Sequence, residues 1–117
     1  MHDVLRRWKS AFDDHQPDAM ADLFTPDALF QGFGPAVLTG RGAVRDYYEA
    51  VPAGRRAEVT VLHTYTIGEQ VAGGFAAVTF SDAHDWEARV NLSLVLRLHD
   101  TGWRIRQYHV SRVEAEH

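Results

Sequence analysis

The residues best suited to chemistry gather near the end of the chain. From Trp103 to Val113 a period of two predicts a strand in which Trp103, Ile105, Gln107, His109 and Ser111 share one face. If that face is turned inward, His109 is a general acid or base, because an imidazole titrates near neutral pH. The alternative is a core histidine bonded to a neighbour. Gln107, one step away on the same face, is a buried amide that needs a partner or a ligand. His63 and Tyr65 fall on the covered face of an earlier strand, as a second titrating group and a hydroxyl donor, or as a packed aromatic pair. Ser111 follows His109 by two and points the same way, so the two do not make a nucleophilic relay. The seven histidines show no HxH or HxxxH spacing, which gives no expectation of a metal site. Gly40-Arg41-Gly42 reads as the start of a helix and not as a phosphate loop, so no cofactor is expected either.

These side chains need a scaffold, and the chain is long enough to supply one. Its 117 residues predict a single domain over 1–117. Twelve Lys and Arg against sixteen Asp and Glu leave a net charge of -4, with the arginines dispersed, which excludes a phosphate-tracking surface and hence nucleic acid as a partner. There is no cysteine, so disulfides and thiolate chemistry are excluded. The first twelve residues lack the apolar centre of a signal peptide, and the longest apolar run, Phe75 to Val78, is far too short to span a bilayer. A cytoplasmic protein without a membrane partner is expected.

Val4, Leu5, Trp8, Ala11 and Phe12 recur at helical spacing. Pro17 opens a short second helix carrying Ala19, Met20, Leu23 and Phe24, which Thr25-Pro26 should end. Ala28 to Phe33 predicts a short strand, Gly34 to Gly40 a loop, and Val44, Tyr47, Tyr48 and Val51 a third helix capped by Thr39 or Gly40. Beyond Arg56 the period becomes two. Val59, Val61, His63, Tyr65 and Ile67 should share the covered face of one strand. Val71 to Ser81 forms the next, with a bulge expected at Gly73-Gly74. Val90, Leu92, Leu94, Leu96 and Leu98 face inward on the third, with Arg89, Asn91, Ser93, Val95 and Arg97 outward, a mixed flat face suited to a two-fold homodimer. The expected class is α+β: three N-terminal helices on a curved, mainly antiparallel sheet, a cone enclosing a pocket that admits a small apolar molecule. Trp86 would wall its mouth.

Three stretches carry a family resemblance: Leu23-Phe24-Thr25-Pro26-Asp27-Ala28-Leu29-Phe30, Gly40-Arg41-Gly42-Ala43-Val44-Arg45-Asp46-Tyr47-Tyr48, and Gly102-Trp103-Arg104-Ile105 with Tyr108-His109-Val110-Ser111. In order and spacing the chain resembles the nuclear transport factor two-like superfamily, and within it the SnoaL-like polyketide cyclases and ketosteroid isomerases. The resemblance specifies the fold far better than the reaction. It implies that the isomerase general base falls at Gly32 and its second acid at Leu94, so that acid–base pair is absent. The oxyanion tyrosine of the first helix corresponds to Trp8, which keeps an N–H donor, and its supporting tyrosine corresponds to Tyr48. The Asp-Arg-Asp set of the similar limonene epoxide hydrolases has no counterpart.

Two functions follow as expectations. In the first, a cofactor-independent isomerase, cyclase or dehydratase, His109 moves a proton beside a carbonyl while Trp8 and Tyr48 donate to its oxygen, with His63, Tyr65, Trp86, Gln107, Phe24 and Leu94 around the substrate. In the second, a binding or dimeric accessory module keeps the pocket without turnover.

Overall fold

The computed structural model describes residues 1–113; the last four residues of the expected domain lie outside them. Helix α1 (His2–Asp13) buries Val4, Leu5, Trp8, Ala11 and Phe12, the apolar stripe that its spacing predicts. Helix α2 (Pro17–Ala21) begins on Pro17, where a missing N–H has no cost. Helix α3 (Arg41–Ala50) follows Gly40, whose φ of 88° a side chain would disfavour, and buries Val44 and Tyr48. The strands are β1 (Phe24–Gln31), β2 (Leu38–Thr39), β3 (Arg56–Ile67), β4 (Val71–Ser81), β5 (Glu87–His99) and β6 (Gly102–Arg112). They form one curved, unclosed sheet in the order β2-β1-β6-β5-β4-β3, antiparallel except where β1 runs parallel to β6. The helices cover one face of this α+β cone. None of the described helices is long and apolar enough to cross a membrane.

Thr25-Pro26 does not end a helix, as the sequence suggests, but lies inside β1. The N–H of Ile105 donates to the carbonyl of Leu23 at 2.7 Å, so the chain joins the sheet before Pro26, and an irregular register between Phe24 and Leu29 absorbs the missing proline N–H. The expected loop at Gly34 to Gly40 contains the two residues of β2, which pair with Phe30 and Leu29.

Two bulges decide which side chains reach the interior. The first is in β3, where Val61 pairs with Ala76 and His63 with Phe75, leaving Leu62 extra. It faces Phe75 and Ala76 of the neighbouring strand, and the bulge expected at Gly73-Gly74 is absent. β4 runs through its glycines regularly, because a Cβ on Gly74 would sit 2.2 Å from the carbonyl oxygen of His63. The second is in β6. Leu96 pairs with Ile105 but Val95 pairs with Gln107, so Arg106 is extra. A one-residue insertion exchanges the two faces of everything beyond it. Ile105 is therefore buried, and so are Tyr108 and Val110, while Gln107, His109 and Ser111 are exposed on the other face.

Candidate functional site

Between α1, α3 and the sheet lies a cavity of about 230 Å³ whose wall includes Phe12, Tyr47, Tyr48, Phe80, Tyr108 and Val110, with Phe33, Arg55 and Trp86 also lining it. Helical spacing brings Trp8 and Phe12 to one face of α1, where their rings stack 5.4 Å apart. Phe80 of β4 tilts against Phe12 at 5.1 Å, and Phe30 stacks flat on Tyr108 at 4.4 Å. Rings packed from four elements leave little freedom to the hydroxyls they carry.

The hydroxyls of Tyr48 and Tyr108 are neighbours in this interior. Trp8 Nε1 donates to Tyr48 Oη at 3.0 Å in the buried interior. Burial pushes the Tyr48 hydroxyl well above its ordinary ionisation, the nearby Tyr108 pushes it further, and the Trp8 N–H opposes the shift. Tyr108 is likewise pushed up by burial, against which its hydrogen bond with Tyr48 acts. Both phenols therefore keep their protons at neutral pH. Tyr108 also lines the cavity, so a ligand there meets a protonated phenol. Tyr47 Oη accepts from the N–H of Phe33 at 3.2 Å and also keeps its hydrogen. Two neutral donors thus serve one apolar space. Among the described lining residues there is no carboxylate and no imidazole.

The sequence matches the profile of the SnoaL-like domain over residues 1–115. The chain belongs to the SnoaL-like family. Within the wider nuclear transport factor two-like superfamily, solved structures share the fold at low identity. A domain of unknown function with a cystatin-like fold from Nostoc punctiforme is 19% identical, with a TM-score of 0.85 over 97% of this chain and 75% of that one. A ketosteroid isomerase-like protein from Erwinia carotovora atroseptica is 17% identical, with a TM-score of 0.82 over 97% and 94%. A candidate scytalone dehydratase from Novosphingobium aromaticivorans is 14% identical, with a TM-score of 0.84 over 97% and 81%. No curated protein matches the sequence.

In this SnoaL-like domain the residues singled out from sequence separate into three groups. Tyr48 and Trp86 line the cavity, and Trp8 stands directly behind Tyr48. Phe24 and Leu94 are buried among core neighbours and do not line it. Phe24 packs against Tyr108, the two rings 6.0 Å apart. His109, Gln107, His63 and Tyr65 lie outside the cavity, contrary to their expected placement. The Arg106 bulge turns His109 and Gln107 to the face opposite the helices, where they border a separate surface depression with Leu29, Gln31 and Val37. The Leu62 bulge does the same to His63 and Tyr65, and the Tyr65 ring lies across Gly73.

Tyr108, Tyr47 and Arg55 line the cavity and are not among the site residues expected from the sequence. The signal for Tyr108 was present: Ile105 and Tyr108 are three apart, an odd spacing that no regular strand can turn inward together. Tyr47 explains Gly32. A Cβ on residue 32 would lie 2.3 Å from Tyr47 Oη, so the tyrosine hydroxyl fills the space where a side chain at the isomerase-base position would begin.

Proposed function

We propose that the protein binds a small apolar, carbonyl-bearing molecule in this cavity, holding its oxygen on the hydroxyls of Tyr108 and Tyr47. The single observation that carries this reading is the pair of protonated tyrosines, Tyr108 and Tyr48 with Trp8 bonded behind it, facing a cavity lined mostly by apolar side chains. The cavity is smaller than the about 300–1,000 Å³ of drug-sized sites, which suits one or two fused rings. A hydroxyl held neutral donates to a carbonyl oxygen and polarises it, but it cannot accept a proton from the adjacent carbon. The neighbours named for isomerase and dehydratase chemistry support a small-molecule pocket. Gly32 and Leu94, which take the two acid positions, and the outward His109 favour retention of a ligand over proton transfer.

The test uses 2-acetylnaphthalene, followed by its fluorescence and by exchange of its methyl protons in D₂O. Binding is expected to weaken about fivefold to tenfold in Tyr108→Phe, the worth of one hydrogen bond, and to stay within twofold in His109→Ala. No exchange above the solvent rate is expected. Exchange that disappears in His109→Ala would reinstate acid–base catalysis and overturn the reading.

A further inference from the structure

The cavity wall contains one charged side chain among the described residues, Arg55. Its position is built by three consecutive devices. Asp82 Oδ1 accepts from the N–H of His84 at 2.7 Å and of Trp86 at 3.1 Å, and the Asp82 N–H returns a bond to the Trp86 carbonyl at 3.2 Å, so the turn before β5 is closed from both sides. Trp86 is thereby fixed at the cavity edge. The guanidinium of Arg55 lies 4.0 Å from the centroid of the Trp86 ring. A guanidinium held over an indole face is attracted by the ring without using its N–H donors, which stay free to meet an acceptor. Arg55 forms no ion pair with a carboxylate among the described residues. Asp82 is the acidic group that faces it from the neighbouring turn; its Oδ1 takes the two backbone N–H groups, and neither of its oxygens comes within ion-pairing distance of Arg55.

A half-buried cation without a carboxylate partner, lining an apolar cavity, costs stability unless something else compensates it. Planar fork geometry selects what that can be: a carboxylate takes two parallel N–H bonds from a guanidinium. We propose that the ligand carries a carboxylate at the opposite end from its carbonyl, and that Arg55 is the residue that recognises it. The inference rests on the cavity being the ligand site, and it narrows the ligand from an apolar ketone to an aromatic keto acid. Tyr108 and Tyr47 then grip one end and Arg55 the other, which fixes orientation as well as affinity.

Two probes that differ by one group test this: 2-acetylnaphthalene and 6-acetyl-2-naphthoate, titrated at low and high salt. Wild type is expected to bind the carboxylate about tenfold more tightly, a gain that shrinks as salt rises. Arg55→Gln should abolish that gain and leave the neutral ketone within twofold, whereas Arg55→Lys should keep part of it. Arg112, which lies 5.5 Å over the ring of Phe33 without lining the cavity, supplies the control, and Arg112→Gln should leave the gain standing. Equal loss of both probes in Arg55→Gln, or a gain that survives it, overturns the carboxylate site while the cavity reading stands. If neither probe binds wild type, the cavity reading fails and this inference fails with it.

Discussion

Gly32 and Tyr47 compete for one volume. A Cβ on residue 32 would meet Tyr47 Oη at 2.3 Å and Cζ at 2.5 Å, distances no real contact tolerates, so any side chain there displaces the tyrosine ring. That ring is wedged against Phe30 at 4.7 Å and Tyr48 at 5.3 Å, and its oxygen satisfies the Phe33 N–H. Gly32→Ala should therefore cost about 1–3 kcal/mol in urea unfolding, the usual range for overfilling a packed site. Tyr47→Ala removes the obstacle, so the double variant should be more stable than the sum of the two single changes by at least about 1 kcal/mol. Strict additivity would show that the two residues do not share the space. At this scale the chain was partly legible. The resemblance marked Gly32 and Tyr48 as positions of interest, and the packing of Trp8 against Tyr48 follows from two helical stripes. That Tyr47 replaces the missing side chain at residue 32 depends on an approach between distant segments, which no local pattern records.

At the scale of elements the long strands were readable and their faces only in part. Alternation identified β3 to β6 correctly, and of the expected inward row of β5 Val90, Leu92, Leu94 and Leu96 are buried, while Leu98 near the end of the strand is exposed. The reading inverted beyond each bulge, because period-two reasoning propagates an error of one residue to the end of the strand. Arg106 is the extra residue of the β6 bulge. Its guanidinium reaches Asp27 at 3.5 Å on the surface, an interaction of little worth. Arg106→Ala should thus change stability by less than about 0.5 kcal/mol. Deleting residue 106 is a different matter. It leaves Ile105 and Tyr108 two apart, so a regular strand keeps Tyr108 and Val110 inward and Gln107 and His109 outward. With both apolar side chains still buried, the thermal transition should stay cooperative, its midpoint lowered by less than about 8 °C. A deletion variant with no cooperative transition would show that the bulge itself, and not the burial of Tyr108 and Val110, holds β6 in place.

The molecule as a whole encloses its tyrosine hydroxyls, and this gives its stability a particular dependence on alkaline pH. Tyr48 and Tyr108 are each 3% exposed, and burial is the main cause that pushes both above the ordinary tyrosine value of 10.0. In the unfolded chain both ionise once pH passes that value, whereas the folded chain still holds both protons. The unfolded state then binds fewer protons than the folded state, so stability is fully present below pH 10.0 and falls as pH rises above it. Each tyrosine contributes a loss of about 1.4 kcal/mol per pH unit. Urea unfolding followed across this range should be insensitive to these groups between pH 7 and 9, then decline steeply. Tyr48→Phe lowers stability at every pH, since it removes the acceptor of the Trp8 N–H, yet it and Tyr108→Phe should each remove one share of the alkaline slope, and the double variant both. The slope therefore separates enclosure from general destabilisation. If wild type and the double variant decline in parallel above pH 10, the hydroxyls ionise freely in the folded protein. The enclosed donor on which ligand binding is argued would then be absent.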